Sequence, residues 1–289
     1  MRDYVLVGDS TEDLNLEVLK TLDVKMLTFS YSINDEVIPY YMDERDGDIK
    51  DFYEKLRKGA MPVTSQINPD TYKKFFEEIV KEEKDILYLC FTSGLSGSYQ
   101  SAQIAADMVL DKYPDARIEV VDSLAASVGG GLLLYETDKK KKEGLNIDEL
   151  KAWIEENRLK VRHWFMVEDL FHLKRGGRVT TVEAMIGSAL KIKPILSLDE
   201  EGKLVVKSKA RGTGKALDYL ISRAEEEISD FESKCFNIGN ADAHEKAEKL
   251  KAMLIEKGAK EENIFISSIG PIIGSHVGPG MAAITYMNI

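Results

Sequence analysis

The chain has 289 residues and a formal net charge of -11, with an isoelectric point of about 5.1. This length favours two domains over one, because single hydrophobic cores stop growing at about 250 to 300 residues. The acidic balance argues against a nucleic-acid partner, since phosphate binding needs a basic surface.

The apolar segments are short, and this indicates where the protein resides. No run of about 18 apolar residues occurs, so no transmembrane segment is expected. The stretch "MRDYVLVGDS" has an apolar part too short for a signal peptide and predicts a first strand. Cys90 and Cys235 lie far apart, so we expect no disulfide framework and a reducing compartment. These features predict a soluble cytoplasmic protein.

In the N-terminal half, short apolar runs alternate with amphipathic segments. Strands are predicted at "YVLVGD", "KMLTFSYSI", "EVIPYYM", "ILYLCF" and "RIEVVDS". Helices are predicted after Thr11, with an apolar stripe of Leu14, Val18 and Leu22, and at "GDIKDFYEKLRKG", "LAASVGGGLLLYETDKKKKEG" and "NIDELKAWIEENRLKV". The clearest helix start is Asn68 as N-cap with Pro69 at the first helical position. This alternation predicts an α/β fold with a largely parallel sheet and crossover helices.

The C-terminal half has a different pattern. The segment "KPILSLDEEGKLVVKSKARG" predicts a β-hairpin about a Glu-Gly turn. Helix, strand, helix and strand then follow at "KALDYLISRAEEEISDF", "CFNIGN", "AHEKAEKLKAMLIEKG" and "NIFISSIG". We therefore predict two α/β domains, an N-terminal one at residues 1–160 and a C-terminal one with a mixed sheet, α+β in layout, at residues 161–289.

Polar loops follow or precede several predicted strands: "GDSTED", "VTSQINPD", "TSGLSGS" and "DSLAAS". Ligands of open parallel sheets bind beyond the carboxyl ends of the strands, where such loops converge. Any one loop is also explained by helix N-capping. The loop "TSGLSGSYQ" has more glycines and serines than one cap needs, and a helix N-terminus suits an anion. The pattern predicts a site for a phosphate or carboxylate.

Common catalytic motifs are missing from the sequence. There is no phosphate-binding G-x-x-x-x-G-K-[ST], no H-E-x-x-H and no paired C-x-x-C. "SALK", Ser188 to Lys191, matches S-x-x-K but lacks its companion motifs, so we attribute it to chance. The four histidines, His163, His172, His244 and His276, have no metal-ligand spacing, so no metal site is expected.

Two further segments could contact a ligand. "HLKRGGRVT" carries Lys174, Arg175 and Arg178 around two glycines, and is equally compatible with an ordinary charged surface turn. "SIGPIIGSHVGPGMAAI" is predicted to be a loop that holds His276 among glycines. A histidine in such a loop is better suited to hydrogen bonding a ligand than to packing a core.

Taken in order, "DSTEDL", "PVTSQINPDTY", "TSGLSGSYQSA", "VDSLAASVGGG", "LKRGGRVT", "IKPIL" and "GPIIGSHVGPG" resemble the DegV family of bacterial fatty-acid-binding proteins over nearly the whole chain. The resemblance implies two α/β domains that clasp one long-chain fatty acid, such as palmitate, stearate or oleate, and no other cofactor. Its FakB members are the non-catalytic binding subunit of a fatty acid kinase. They present the acyl carboxylate to a separate ATP-dependent kinase subunit, which makes acyl phosphate for phospholipid synthesis.

The resemblance also implies roles for particular residues. Thr64, Ser65, Ser96, Gly97 and His276 would bind the fatty-acid carboxylate. The loop residues Arg175 and Arg178 would contact the partner or a phosphate. One departure is "VGGGLLL" at 128–134, where family members often carry a more polar residue, and this would alter the pocket wall.

Two alternatives remain open at this stage. The first is a hydrolase or acyl transferase that uses Ser93 or Ser96 as nucleophile and His276 as base. The second is a binding module for another small acid or a phosphorylated ligand.

Overall fold

A computed structural model describes residues 2–42, 46–179 and 191–289 of the chain. The first three residues of the "SALK" motif and Thr180 lie outside these ranges. The strands before residue 160 are β1 (Tyr4–Asp9), β2 (Val24–Leu27), β3 (Phe29–Ile33), β4 (Glu36–Tyr40), β5 (Val63–Thr64), β6 (Asp85–Cys90) and β7 (Ile118–Asp122). The strands after it are β8 (Val161–Met166), β9 (Ile192–Leu198), β10 (Leu204–Arg211), β11 (Phe236–Asn240), β12 (Ile264–Ser268) and β13 (Ala282–Met287).

The helices fall mostly between the strands, as crossover connections require. Their bounds are α1 (Leu16–Leu19), α2 (Asp46–Arg57), α3 (Pro69–Val80), α4 (Ser98–Leu110), α5 (Ser127–Lys142), α6 (Ile147–Asn157), α7 (Phe171–Arg175), α8 (Thr213–Glu227), α9 (His244–Glu256) and α10 (Pro271–Val277). In the described ranges, no helix combines the length and apolarity that crossing a membrane would require.

The strands form three sheets, and their pairing confirms the predicted α/β fold class. A four-stranded sheet of order β2-β1-β6-β7 is parallel throughout. A small antiparallel sheet of order β4-β3-β5 is formed by the strands that lie between β2 and β6 in the sequence. The third sheet has the order β10-β9-β8-β13-β11-β12 and is mixed, because β11 pairs in parallel with β12 and antiparallel with β13. The division of the chain into domains at residue 160 stays a prediction.

Local sequence signals explain the best-predicted elements. The Asn68 side chain accepts a hydrogen bond from the Thr71 N–H at 2.9 Å, as expected of an N-cap that begins α3. Every residue of β6 is buried, which matches the prediction of an apolar strand covered on both faces. The predicted hairpin is formed by β9 and β10.

The predicted helix after Thr11 is largely wrong, because only the four residues of α1 are helical. The preceding residues form a buried loop whose polar groups bond elsewhere. Glu12 accepts from the Asp9 N–H at 3.0 Å, and Asp13 accepts from the Gly270 N–H at 2.8 Å. These hydrogen bonds compete with the helical backbone pattern.

The "GSHVGPG" segment was predicted to be a loop, and this is also wrong for its first part. His276 lies in the last turn of α10, which begins with Pro271 at the first helical position. A glycine inside a helix is less stable than an alanine by about 1 kcal/mol. At position 274, however, neighbouring side chains leave no room for a Cβ. A Cβ at Gly274 would lie 2.5 Å from the Tyr53 hydroxyl and 2.9 Å from the Phe52 ring.

The largest apolar cluster draws side chains from both halves of the chain. It contains Val7 and Tyr88 from the parallel sheet together with Phe165, Leu196 and Ala283 from the mixed sheet. Of the two smaller clusters, one consists of residues after 160, and the other is mainly N-terminal but includes Val161 and Met287. The two sheets therefore share one core, and the cavity described next opens inside it.

Candidate functional site

A cavity lies within the shared core. It contains about 860 Å³ of space between protein atoms, part of it open to solvent. Its wall is predominantly apolar, as expected of a site for a ligand with a hydrocarbon part. The apolar lining residues are Phe29, Phe91, Leu95, Ala126, Val128, Trp164, Phe165, Leu173, Leu198, Leu204, Ile272, Ile273, Val277, Met281 and Ala283.

Thr64 and His276 form a hydrogen-bonded pair on the cavity wall. The Thr64 Oγ1 lies 2.7 Å from the His276 Nε2, although the two residues are 212 positions apart. Burial and the nearby Arg178, Arg175 and His172 lower the pKa of His276 to about 4. The imidazole is therefore neutral at pH 7. When its Nε2–H donates to Thr64, the Thr64 hydroxyl proton is free to donate to a ligand.

The second nitrogen of His276 lies against Gly176 of the "HLKRGGRVT" segment. The Nδ1 is buried and has no hydrogen-bond partner. A Cβ at Gly176 would lie 2.2 Å from this Nδ1. Gly176 is thus required for the imidazole to approach the loop, a role that the sequence analysis did not assign.

Ser96 also lines the cavity. Its Oγ lies 2.9 Å from the Oγ of Ser98 and accepts from the Ser98 N–H at 3.2 Å. Ser98 is the first residue of α4, so Ser96 lies just ahead of a helix N-terminus, where backbone dipoles favour an anion.

The other residues predicted for the carboxylate site are close by. Ser65 lines the cavity, whereas Gly97 is the N-cap of α4 and is not among the lining residues. Gly97 instead makes room for Gln66, because a Cβ there would lie 2.1 Å from the Gln66 Oε1. Gln66 is a lining residue that the sequence analysis missed, although it lies in the quoted segment "PVTSQINPDTY".

The two arginines of the basic loop are placed differently. Arg178 lines the cavity, and its Nε donates to the Leu95 carbonyl at 3.2 Å. Arg175 is not among the lining residues; it donates to the Ser275 carbonyl at 3.2 Å, and its buried Nε has no partner. Burial lowers the pKa of Arg178 from its ordinary value, but the guanidinium stays charged at pH 7. Among the described residues, neither arginine forms an ion pair.

Four other polar residues of the cavity wall already have protein partners. Ser127 donates to Asp13 at 2.6 Å, and Thr285 donates to the Asn237 carbonyl at 2.9 Å. Thr11 donates to Asp9, and the His163 Nε2 accepts from the Ala126 N–H at 3.4 Å. Burial lowers the pKa of His163 to about 4, so this imidazole is neutral. Among the described residues, hydrogen-bonding capacity for a ligand is therefore concentrated around Thr64, Ser65, Ser96 and Arg178.

The geometry also bears on the hydrolase alternative. A nucleophilic serine needs a base within hydrogen-bond reach. In the part of the chain that the structure describes, His276 pairs with Thr64, and Ser96 pairs with Ser98. Ser93 is not a lining residue of the cavity. Within the described ranges, no cluster of three or more histidines, cysteines or acids is arranged to hold a metal ion.

Fold and cavity together define an α/β protein whose parallel and mixed sheets enclose a largely apolar space, with polar side chains grouped around Thr64, Ser96 and Arg178 in the part of the chain that the structure describes. The sequence profile described as "Uncharacterised protein, DegV family" matches residues 4–288. The chain belongs to the DegV family.

Similar proteins extend over the whole chain. A DegV domain-containing protein of Clostridium perfringens is 42% identical over 289 residues, which is 99% of this chain and 98% of that protein. A Thermus thermophilus structure described by its fatty acid binding has a TM-score of 0.88 and 28% identity, and covers 100% of both chains. The structure of Bacillus subtilis DegV, described as a fatty acid binding protein, has a TM-score of 0.83 and 29% identity, and covers 99% of both chains.

Proposed function

We propose that this protein binds one long-chain fatty acid in the cavity and presents its carboxylate to a partner kinase for acyl phosphate formation. The observation that carries the proposal is a predominantly apolar cavity in which the described residues group the available hydrogen-bond donors beside Arg178, a cation without an acidic partner among those residues. Structural neighbours that bind fatty acids support it.

The apolar wall accounts for affinity. Burial of a methylene contributes about 0.8 kcal/mol, so an acyl chain of about 16 carbons gains on the order of 10 kcal/mol before the costs of association. The cavity volume of about 860 Å³, part of it open to solvent, lies in the range of about 300 to 1,000 Å³ that is usual for small-molecule sites. Palmitate, stearate and oleate are the ligands that we expect.

The polar region would fix the orientation of the ligand. Thr64 and Ser96 each offer a hydroxyl, His276 holds the Thr64 hydroxyl, and Arg178 supplies a positive charge. Hydrogen bonds to a charged group are stronger than neutral ones. We assign Thr64, Ser96 and Arg178 to direct contact with the carboxylate, and Ser65 and Gly97 to the loops that surround it.

The test is to purify the protein without added lipid, extract it with organic solvent and identify what is released. We expect one long-chain fatty acid per chain, visible also by native mass spectrometry. The proposal fails if the protein is ligand-free and does not bind added palmitate or oleate. An esterase assay and denaturing mass spectrometry for an acylated serine test the hydrolase alternative on the same material.

The presenting role needs a separate test with the cognate kinase. Arg175 is outside the cavity wall, so Arg175→Ala should leave palmitate binding nearly unchanged and slow acyl phosphate formation, because a cation there would steer the partner or a phosphate. Arg178→Ala should reduce both, since Arg178 lines the cavity. Equal loss of palmitate binding in both variants would contradict the role assigned to Arg175.

A further inference from the structure

Two successive cross-strand pairs of the mixed sheet line the cavity. Phe165 of β8 pairs with Ala283 of β13, and His163 of β8 pairs with Thr285 of β13. All four residues are lining residues. Alternate residues of a strand point to the same face of a sheet, so the two pairs lie side by side on the face that borders the cavity.

The cavity ends at the second of these pairs. The next pair on the same face consists of Val161 and Met287, which are buried and belong to a separate apolar cluster. Neither of these two residues lines the cavity. His163 and Thr285 are themselves buried, so the cavity is closed here by packed side chains. We call His163 and Thr285 the end pair.

The polar region of the cavity lies at the opposite end. Because β8 and β13 are antiparallel, the end of β8 and the start of β13 lie together. Arg178 follows β8 by way of α7, and His276 lies in α10, which precedes β13. The lining residues Ser65 and Gln66 are exposed, so the polar end meets solvent. A ligand whose carboxylate is held at the polar end therefore directs its methyl end toward the end pair.

Buried hydrogen bonds hold the first turn of α5 against the end pair. The Thr285 hydroxyl donates to the Asn237 carbonyl at 2.9 Å, and the Asn237 side chain donates to the Val128 carbonyl at 3.0 Å. The Ser127 hydroxyl donates to Asp13 at 2.6 Å. Withdrawal of α5 to admit a longer ligand would break these bonds and leave buried polar groups without partners, which is costly.

Gly129 gives the His163 ring its place in this wall. The His163 Nε2 accepts from the Ala126 N–H at 3.4 Å, and a Cβ at Gly129 would lie 2.0 Å from the same nitrogen. The ring therefore packs on the backbone of α5 on one side and borders the cavity on the other. A side chain at position 129 would push the ring into the cavity, where there is space for it.

We propose that the end pair is the wall against which the methyl end of the ligand stops, and that His163, held in place by Gly129, sets the longest acyl chain that this protein binds. This inference rests on the proposed function. Each methylene buried before the wall raises the affinity about fourfold. A methylene beyond it must bend the chain or displace the end pair, so the affinity falls past an optimum chain length.

The experiment measures this optimum by competition. Delipidated protein is mixed with equimolar saturated acids from tetradecanoate to docosanoate in steps of two methylenes, and native mass spectrometry gives the bound fraction of each acid. The ratios for each variant are divided by those of wild type, so that differences in solubility among the acids cancel. His163→Ala removes the ring, so the optimum should move to the next longer acid. Binding of that acid relative to the wild-type optimum should rise about fifteenfold, the effect of two buried methylenes.

Gly129→Ala shifts the optimum in the other direction and keeps the inference testable if His163→Ala does not fold. The displaced ring shortens the cavity, so the optimum should move to the next shorter acid. In the double variant Gly129→Ala with His163→Ala no ring is displaced, and the optimum should be that of His163→Ala alone. Tyr286→Phe is the matched control, because Tyr286 follows Thr285 on the opposite face of β13 and donates to Glu227 at 3.0 Å. Its length profile should equal that of wild type.

The outcomes separate a wall from a general effect on folding. A structural role alone would lower the affinity for all acids by the same factor, so an unchanged optimum in both His163→Ala and Gly129→Ala would overturn the inference. A shift caused by Gly129→Ala that persists without the His163 ring would overturn the role given to that ring. If wild type bound none of the acids, the proposed function itself would be rejected.

Discussion

At the scale of single residues, the Thr64 and His276 pair shows how the site joins distant parts of the chain. Thr64 ends a two-residue strand and His276 lies in the last turn of α10, yet their side chains are 2.7 Å apart. The neutral imidazole orients the threonine hydroxyl without adding a second charge beside Arg178. A pair of this kind fixes the direction of a donor before the ligand arrives.

Ser96→Ala tests the proposed carboxylate contact directly. Loss of one hydrogen bond to a charged group costs about 1 to 3 kcal/mol, so binding of a fatty acid should weaken about fivefold to a hundredfold. The methyl ester of the same acid, which has no charge, should be nearly insensitive to the change. Both affinities are measured by titration. Thr285→Val is the control, because it removes a cavity hydroxyl that bonds to the backbone and should affect acid and ester alike. Equal losses for acid and ester in Ser96→Ala would mean that Ser96 shapes its loop only.

Gly176→Ala tests the packing of the imidazole. The added Cβ would lie 2.2 Å from the His276 Nδ1, so the ring must move away and the contact with Thr64 is lost. Fatty acid binding should weaken by about tenfold, as expected for one hydrogen bond to a charged group. Gly214→Ala is the matched control, since a Cβ there meets nothing within 4 Å. Unchanged affinity in Gly176→Ala would show that His276 can shift without affecting the site.

At the scale of elements, the β9–β10 hairpin forms part of the cavity wall and contacts a loop of the N-terminal half. Leu198, the last residue of β9, and Leu204, the first residue of β10, line the cavity. The turn between them packs on the "TSGLSGS" loop, where the Thr92 hydroxyl donates to the Gly202 carbonyl at 3.1 Å. A Cβ at Gly94 would lie 2.4 Å from the Glu201 carbonyl oxygen. The first glycine of this loop, Gly94, is thus explained by this contact and not by a ligand.

Gly94→Ala should therefore displace the hairpin. The clash is with backbone atoms that cannot rotate away, so the free energy of unfolding should fall by about 1 to 3 kcal/mol. Retention of the fatty acid should fall with it, because Leu198 and Leu204 move with the turn. Denaturant unfolding and ligand off-rates measure the two effects, with Gly214→Ala as control. A Gly94→Ala variant that loses stability but keeps the wild-type off-rate would show that the hairpin does not close the cavity.

How far the sequence predicts an element depends on whether its signals are local. The N-cap at Asn68 and the buried strand β6 are specified by adjacent residues, and both were predicted correctly. The helix α10 was not predicted, because Gly274 and Gly278 are typical of a loop. The packing of Tyr53 against Gly274, which requires a glycine there, is a tertiary contact. The same holds for the site: Thr64, Ser96 and His276 were predicted from the resemblance and stay predictions as carboxylate ligands, whereas the places of Gln66 and Gly176 depend on tertiary proximity.

At the scale of the whole molecule, Asp13 links the N-terminal half to the C-terminal half. It accepts from Ser127 at 2.6 Å and from the Gly270 N–H at 2.8 Å, and its carbonyl accepts from Asn237 at 3.1 Å. Burial raises its pKa from 3.8 to about 7. Between about pH 4 and about pH 7, Asp13 is therefore protonated in the folded protein and ionised in the unfolded chain.

The sign of the pH dependence follows from this proton. Because the folded state binds more protons, the free energy of unfolding should fall as the pH rises from about 4 to about 7, by about 4 kcal/mol for this group. Asp13→Asn should flatten that part of the profile, as measured by denaturant unfolding. Asp23→Asn is the control with the opposite sign, since the Lys141 hydrogen bond lowers the pKa of Asp23. An unchanged slope in Asp13→Asn would mean that Asp13 is ionised in the folded protein.

The satisfied polar groups elsewhere on the cavity wall have a consequence for selection among lipids. Ser127, His163 and Thr285 are bonded to the protein, so they offer little to a second polar group on the ligand. Burying an uncompensated hydroxyl costs about 1 to 3 kcal/mol by protein mutational data, and a second carboxylate costs far more. If the protein binds a fatty acid as proposed, an acid that carries a second polar group would bind more weakly than the unmodified acid, and the protein would preferentially withdraw unmodified acids from a mixed pool.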